Sequence, residues 1–121
     1  DSAMDMVVRG KEDRSFRKSV DTYAVLGPWL VTADEIADPG QLDFKLTIDN
    51  KIRQQNNTRN LILNLQGQIV WASKFYTLYP GDIIMAATGA GVGPVKPGDT
   101  GHLEFEKIGT MEVPVRAHDS Y

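Results

Sequence analysis

One alternating segment constrains the fold of this chain more than any other feature. Single polar residues separate its apolar positions, which are Leu42, Phe44, Leu46 and Ile48. Successive side chains of a strand point to opposite faces, so this period predicts a half-buried β-strand. Asp49 and Asn50 follow, and both residue types tolerate a positive φ. They predict a two-residue loop that closes a β-hairpin.

The return strand of this hairpin is predicted over residues 51–55. In the register of a two-residue loop, Ile52 pairs with Thr47 and lies on the face opposite Ile48. An apolar residue on that face has two explanations. Either a β-bulge shifts its position, or both faces of the hairpin are partly covered.

A short strand and a helix are expected after the hairpin. Residues 61–63 are all apolar and predict a short buried strand. Residues 65–79 are predicted to form the main helix, with Asn64 as its N-cap. The apolar side of this helix would consist of Leu65, Ile69, Ala72 and Tyr76. Gly67 weakens the prediction, and the alternative is a helix that begins after this glycine.

Two Pro-Gly-Asp strings, within residues 79–82 and 96–99, predict the same kind of β-turn. Proline fixes φ at the second position of the turn, and glycine supplies a positive φ at the third. A strand is predicted after each turn, at residues 83–87 and at residues 102–107.

The last predicted strand follows Gly109. Its apolar positions alternate at Met111, Val113 and Val115. Pro114 lacks a backbone N–H, so this strand belongs at a sheet edge or at a bulge. Together these elements predict a mainly β domain of the α+β class with one main helix.

Composition excludes several classes of protein. Hydrophobic residues make up 41% and charged residues 24% of the 121 residues, which favours a folded globular chain over a disordered one. The net charge of −3 gives no basic field for nucleic acid, and no apolar run approaches membrane-spanning length. The sequence contains no cysteine, which excludes disulfides and a thiol nucleophile. We expect a cytoplasmic protein without nucleic-acid or membrane partners.

Residues 88–94 form a glycine-rich string with two interpretations. Its glycines alternate with other residues, and no Gly-Lys-Ser/Thr follows, so it is not a phosphate-binding P-loop. The first and favoured interpretation is a tight surface turn. The second is a loop whose bare backbone approaches a small ligand, to which Thr88 offers its hydroxyl.

Other candidate groups carry weaker signals. The basic stretch at residues 9–18 is a solvated loop or an anion site, and composition does not decide between them. His102 and His118 are the histidines of the chain, and without a Gly-x-Ser-x-Gly elbow a histidine-dependent triad is disfavoured. Glu104 and Glu106 alternate with apolar residues on a predicted strand, so we expect them to face solvent and not a metal.

Two long strings resemble the signature of the fumarylacetoacetate hydrolase family. Residues 17–36 are similar to its Lys-Ser-Phe-Asp-Thr…Leu-Gly-Pro motif, and residues 78–99 to its Pro-Gly-Asp…Thr-Gly-Thr-Pro-x-Gly-Val-Gly-Pro loop. The resemblance extends from Ser2 to about Val115. It implies a mixed β-roll with few helices. In that fold residues 1–121 would be the C-terminal portion of a single catalytic domain, incomplete at its N-terminus.

The resemblance also implies a chemistry. Enzymes of this family hold one divalent cation, Mg²⁺ or Mn²⁺, through three carboxylates and act on a small 2-oxo or β-dicarbonyl acid. They hydrolyse the C–C bond of an acylpyruvate, or isomerise or decarboxylate a related diacid, through a metal-bound enolate. Family members are commonly homodimers, so we expect this association here. The lead-in at residues 9–16 resembles the bacterial branch that degrades aromatic compounds.

The resemblance assigns roles to individual residues. Lys18 matches the active-site lysine, which would stabilise the enolate or orient the attacking water. Thr88 matches a threonine that contacts the substrate carboxylate or carbonyl. Gly91 and Gly93 shape the substrate-binding loop, and Arg9 is a further candidate for binding the substrate.

Departures from the family pattern keep a second hypothesis open. Ala86 stands where the family has a threonine, and Met4 where it has an arginine. In this register the metal-binding aspartate would lie one residue before Asp1, and Asp1 could bind the metal only if the register slipped by one. The Glu-x-Glu ligand pair would lie further upstream. The chain is thus the C-terminal part of a metal-dependent enzyme, or a non-catalytic relative that serves as a binding or structural domain.

Overall fold

The computed structural model describes residues 18–86 and 88–117. Four antiparallel strands form one sheet in the order β2-β1-β3-β4. The strands are β1 (Asp43–Ile48), β2 (Lys51–Asn57), β3 (Thr100–Phe105) and β4 (Gly109–Pro114). The α-helix α1 spans Leu65–Ala72, and short 3₁₀ helices span Pro39–Gln41 and Thr58–Asn60. The predicted class, mainly β with one main helix, is confirmed.

The β1–β2 hairpin has the predicted loop and a bulge beside it. Asp49 and Asn50 have φ values of 49° and 62°, as a two-residue loop requires. Thr47 pairs with Ile52 as expected, whereas Leu46 pairs with Gln54, so Arg53 is the extra residue of a β-bulge. The bulge comes directly after Ile52. It leaves Ile52 exposed, to 60%.

Strands β3 and β4 confirm the predictions for the end of the chain. Phe44 on β1 pairs with Phe105 on β3, and their rings stack with centroids 5.3 Å apart. Strand β3 ends before Lys107, whose φ of 60° belongs to the turn into β4. Pro114 lies on β4, which is an edge strand, so its missing N–H costs no ladder hydrogen bond.

Both Pro-Gly-Asp turns form, but a strand follows only one of them within the described residues. Gly81 and Gly98 have φ values of 98° and 95°, which are those of type II turns. Strand β3 begins directly after the second turn. The strand predicted at residues 83–87 is wrong for residues 83–86. These residues are exposed and do not pair with the sheet, whose described strands are all joined to one another.

Helix α1 begins where predicted and ends earlier. The side chain of Asn64 accepts a hydrogen bond of 2.8 Å from the N–H of Gly67, so this glycine lies in the first turn of the helix. The helix ends at Ala72 and not at residue 79. Ser73 is its C-cap, and tighter turns follow, in which the Lys74 N–H donates to the Trp71 carbonyl and the Phe75 N–H to the Ala72 carbonyl.

The short buried strand predicted at residues 61–63 is wrong. Leu61 closes the 3₁₀ helix Thr58–Asn60, and Asn64 already caps α1. Too few residues lie between these caps to form a strand. Ile62 is fully exposed instead of buried.

Apolar side chains are distributed unevenly between burial and exposure. Ile36, Leu42 and Ile48 are buried. A continuous stretch of the chain around and after α1, within residues 62–85, exposes large apolar groups: Ile62, Leu63, Ile69, Val70, Trp71, Phe75, Tyr76, Leu78, Tyr79, Ile83, Ile84 and Met85. None of the described helices is long and apolar enough to cross a membrane.

Candidate functional site

The glycine-rich loop, residues 88–94, lies along strand β2. Gln54 of this strand holds the start of the loop through its side-chain amide. Its Nε2 atom donates to the Thr88 hydroxyl at 2.8 Å, to the Gly89 carbonyl at 3.0 Å and to the Ala90 carbonyl at 3.1 Å. Arg53 makes a longer contact of 3.4 Å from Nη2 to the Pro94 carbonyl. The loop is therefore attached to β2 near both of its ends.

Close approach to β2 explains why glycines alternate in this loop. A Cβ atom at Gly91 would collide with the backbone carbonyl of Arg53, and Gly91 has a φ of 96° that disfavours other residues. A Cβ atom at Gly93 would meet the end of the Arg53 side chain and one at Gly89 the end of the Asn56 side chain, and both ends can move, so the requirement for glycine is strictest at Gly91. Glycine in this loop thus lets the backbone approach strand β2. This reason differs from both interpretations of the sequence, which were a tight surface turn and a ligand-binding loop.

A cavity of about 310 Å³ lies between the end of the loop and the β1–β2 hairpin. Three cationic side chains line it: Lys51, Arg53 and Lys96. The carboxylates of Asp49 and Asp99 also line it, but Asp99 already accepts a 2.9 Å hydrogen bond from the Lys96 N–H. Its lining therefore carries a small positive excess beside the loop.

Trp29, within the string at residues 17–36, contacts the turn between β3 and β4. Its indole N–H donates to the Ile108 carbonyl at 2.8 Å, in the turn between β3 and β4. Lys18 opens the described part of the chain, and its side chain is exposed. The catalytic role of Lys18 stays a prediction. Arg9 lies outside the described residues, as do Asp1 and Met4.

The described residues do not fit a three-carboxylate metal site. Across residues 18–86 and 88–117, no group of three histidine, cysteine, aspartate or glutamate side chains could hold a metal ion. Glu104 instead forms an ion pair with Lys45 at 2.9 Å, and this hydrogen-bonded lysine lowers the pKa of the Glu104 carboxyl. Glu106 accepts a hydrogen bond of 3.0 Å from the Asp43 N–H.

The two histidine nitrogens of His102 lie near carboxylates of the sheet. Nε2 is 3.6 Å from Glu104 and Nδ1 is 3.6 Å from Glu112. These contacts lie on the strand surface, at the polar position that the alternation of β3 predicts. Both partners of His102 in these contacts are surface carboxylates, and neither is the hydroxyl nucleophile of a triad.

Sequence reasoning missed Gln54 as a residue of this site. A polar residue on a hairpin strand ordinarily faces solvent, so its type carries no signal. The signal lies in the bulge at Arg53, which changes the direction of the next side chain. The unmatched position of Ile52 was the available hint of that bulge.

Known proteins are similar to this chain in both sequence and fold. The family model described as "Fumarylacetoacetate (FAA) hydrolase C-terminal" matches residues 2–116. The chain therefore belongs to the fumarylacetoacetate hydrolase family, as the two long strings indicated.

Particular relatives narrow the comparison. Maleylpyruvate hydrolase of Aquipseudomonas alcaligenes is 54% identical over 114 residues, which cover 94% of this chain and 40% of that protein. The structure of maleylpyruvate hydrolase from Sphingobium sp. SYK-6 in complex with manganese (II) ion and pyruvate has a TM-score of 0.82 at 47% identity, and the match covers 85% of this chain and 39% of that one.

An isomerase has the same fold. The structure of 2-hydroxyhepta-2,4-diene-1,7-dioate isomerase from Mycobacterium marinum has a TM-score of 0.86 at 34% identity, and the match covers 98% of this chain and 46% of that one. The chain thus spans about two fifths of the length of the curated relative with 54% identity.

Proposed function

We propose that the protein that contains this chain is a divalent-cation-dependent hydrolase of an acylpyruvate, with maleylpyruvate as the first candidate substrate. The observation that carries this proposal is the 54% identity to a maleylpyruvate hydrolase over 94% of the chain. The complex of a second maleylpyruvate hydrolase with manganese and pyruvate supports it. Hydrolysis of the C–C bond adds water across that bond and releases pyruvate and a second carboxylic acid.

The residues of this chain would bind and orient the substrate. Thr88 would donate its hydroxyl hydrogen to a substrate oxygen, and Gly91 and Gly93 would keep the loop against β2. Lys18 would place a positive charge beside the oxygen on which negative charge develops, which stabilises the transition state. Arg9 would pair with a substrate carboxylate.

The cofactor would be Mg²⁺ or Mn²⁺, and manganese in the Sphingobium relative supports a divalent cation. Because the described residues hold no carboxylate cluster, its ligands would come from residues outside them. When bound, such a cation withdraws electrons from the oxygens of a 2-oxo acid.

Assembly and location are further parts of the proposal. We expect a homodimer, as the family resemblance implies. Light scattering on the purified protein tests this. A cytoplasmic location stays a prediction, which fractionation of cells tests.

The experiment is an assay of the full protein with maleylpyruvate and Mn²⁺ or Mg²⁺, in which released pyruvate is measured. We expect Lys18→Met to lower kcat about a hundredfold or more, and Thr88→Val to raise KM. Lys74→Met, at an exposed lysine just after α1, is the matched control.

Two other outcomes would redirect the proposal. Isomerised acid without pyruvate would favour the isomerase chemistry of the Mycobacterium marinum relative. A folded protein that neither binds cation nor converts either acid would contradict catalysis. It would favour the non-catalytic relative, with which Ala86 in place of a threonine agrees.

A further inference from the structure

The side-chain amide nitrogen of Gln54 donates hydrogen bonds to the glycine-rich loop. Its Nε2 atom lies 2.8 Å from Thr88 Oγ1, 3.0 Å from the Gly89 carbonyl and 3.1 Å from the Ala90 carbonyl. An amide nitrogen carries two hydrogens, so one of these hydrogens is shared between two acceptors.

The two loop carbonyls determine which end of the amide faces the loop. If the amide were rotated by 180°, Gln54 Oε1 would lie beside the carbonyl oxygens of Gly89 and Ala90. All three oxygens accept hydrogen bonds and none donates, so that orientation would be repulsive. The nitrogen therefore faces the loop.

This orientation determines the role of the Thr88 hydroxyl. The amide nitrogen of Gln54 cannot accept a hydrogen bond, so Thr88 Oγ1 accepts and keeps its own hydrogen for another partner. Thr88 is exposed, and its hydroxyl is therefore available to an incoming group as a donor. A carboxylate or carbonyl oxygen is the matching acceptor.

A β-bulge gives Gln54 this position. Leu46 pairs with Gln54 and Thr47 with Ile52, so Arg53 is the inserted residue immediately before Gln54. A bulge changes the direction of the side chains that follow it. Without the bulge, the side chain at position 54 would follow the simple alternation of β2.

We propose that Gln54 is a positioning residue that fixes the Thr88 hydroxyl as a donor toward an anionic oxygen of the substrate. Gln54 itself does not touch the substrate and acts through Thr88. The inference rests on the proposed function, in which Thr88 contacts the substrate, and it adds the residue that sets the direction of this hydrogen bond.

The first test needs no ligand. Gln54→Met removes the donor, and Gln54→Glu replaces it at pH 8 with an acceptor of the same shape. We expect both variants to melt at a lower temperature than wild type, with Gln54→Glu the lower by about 5 °C or more. Gln55→Glu, at the exposed next residue of β2, is the control for added charge. A Gln54→Glu variant that melts above Gln54→Met would overturn the orientation.

The second test measures the affinity for pyruvate in the presence of Mn²⁺ by calorimetry. We expect Gln54→Met to weaken binding about tenfold in the wild type, and less than about twofold in a Thr88→Val background. Equal losses in both backgrounds would overturn the inference, because Gln54 would then act only on the loop backbone.

Failure of the proposed function has a different signature. A wild-type protein that binds no pyruvate with Mn²⁺ contradicts the proposed function, and the melting order still decides the direction of the Gln54 hydrogen bond. Wild-type binding with equal losses contradicts the role of Gln54 alone.

Discussion

The two Pro-Gly-Asp turns have the same internal geometry and different surroundings. Asp82 N–H donates to the Tyr79 carbonyl at 3.0 Å, and Asp99 N–H to the Lys96 carbonyl at 3.1 Å. In each turn the aspartate carboxylate also accepts from the first N–H of the turn, at 2.8 Å and 2.9 Å. The turns are therefore equivalent as local structures.

Contacts with the rest of the chain distinguish them. The second turn is joined to the residue that follows β4: Gly98 N–H donates to the Val115 carbonyl, and Val115 N–H to the Asp99 carbonyl, both at 2.9 Å. Asp99 is only 7% exposed. The first turn and residues 83–86 after it are exposed. A turn forms from its own residues, whereas a strand needs a neighbouring strand to bond with.

The largest difference is expected between two isoleucines. Ile48 is 9% exposed and pairs with Gly101, just after the second turn, whereas Ile83 is 59% exposed just after the first. Ile48→Ala should lower the free energy of unfolding by about 3 kcal/mol and Ile83→Ala by less than about 0.5 kcal/mol. Urea denaturation measures both. A loss at Ile83 as large as at Ile48 would break the comparison and show that another part of the protein covers Ile83.

The two aspartates should differ by a smaller amount. Asp99→Ala removes a buried acceptor and should cost about 2 kcal/mol of unfolding free energy, whereas Asp82→Ala at the exposed turn should cost less than about 1 kcal/mol. Asp99→Asn keeps an acceptor oxygen and should retain most of the stability. Thermal unfolding measures all three variants, and equal losses at both aspartates would argue that burial is irrelevant to this turn.

The two turn glycines should behave alike. A Cβ atom at either Gly81 or Gly98 would have no neighbour within 4 Å among the described residues, and both have a positive φ. Gly81→Ala and Gly98→Ala should each cost about 1 kcal/mol through backbone strain alone. Unequal losses would mean that the surroundings also act on the turn geometry itself.

The smallest effect concerns a surface pair on the sheet to which the second turn belongs. The Lys45 ammonium hydrogen-bonds the Glu104 carboxylate and lowers the pKa of Glu104. Lys45→Met should raise this pKa toward its ordinary value. Because the folded pKa is lowered, the pair stabilises the protein above the ordinary pKa, and this is lost as pH falls through the lowered value. A titration followed by NMR, with Lys51→Met as control, would contradict the pairing if the pKa stayed unchanged.

Local signals in the sequence predicted the elements that depend on local residues. The alternation from Leu42 to Ile48, the Asp49-Asn50 loop and the Asn64 cap are all present. The errors at residues 61–63 and 83–86 have a common cause. Apolar runs show that side chains prefer burial, but a strand also needs a partner, and pairing depends on distant parts of the chain.

The sequence predicted less of the candidate site than of the strands and turns. The position of Thr88, Gly91 and Gly93 in one loop followed from the matching string, but the reason for the glycines did not. Their contacts involve Arg53 and Gln54, which are more than thirty residues away in the sequence. The direction of the Gln54 side chain depends on a β-bulge, and the residues of this bulge carry no sequence signal that predicts it.

The alternating glycines also limit how this loop could be redesigned. Gly91 is fixed by the backbone of β2, while Ala90 and Val92 on either side of it are exposed, Val92 to 48%. A substitution at Gly91 would therefore displace the loop from β2, because a Cβ atom there collides with the Arg53 backbone. Ala90 and Val92 are therefore the positions at which the surface of the loop can be varied while Gly91 is left unchanged.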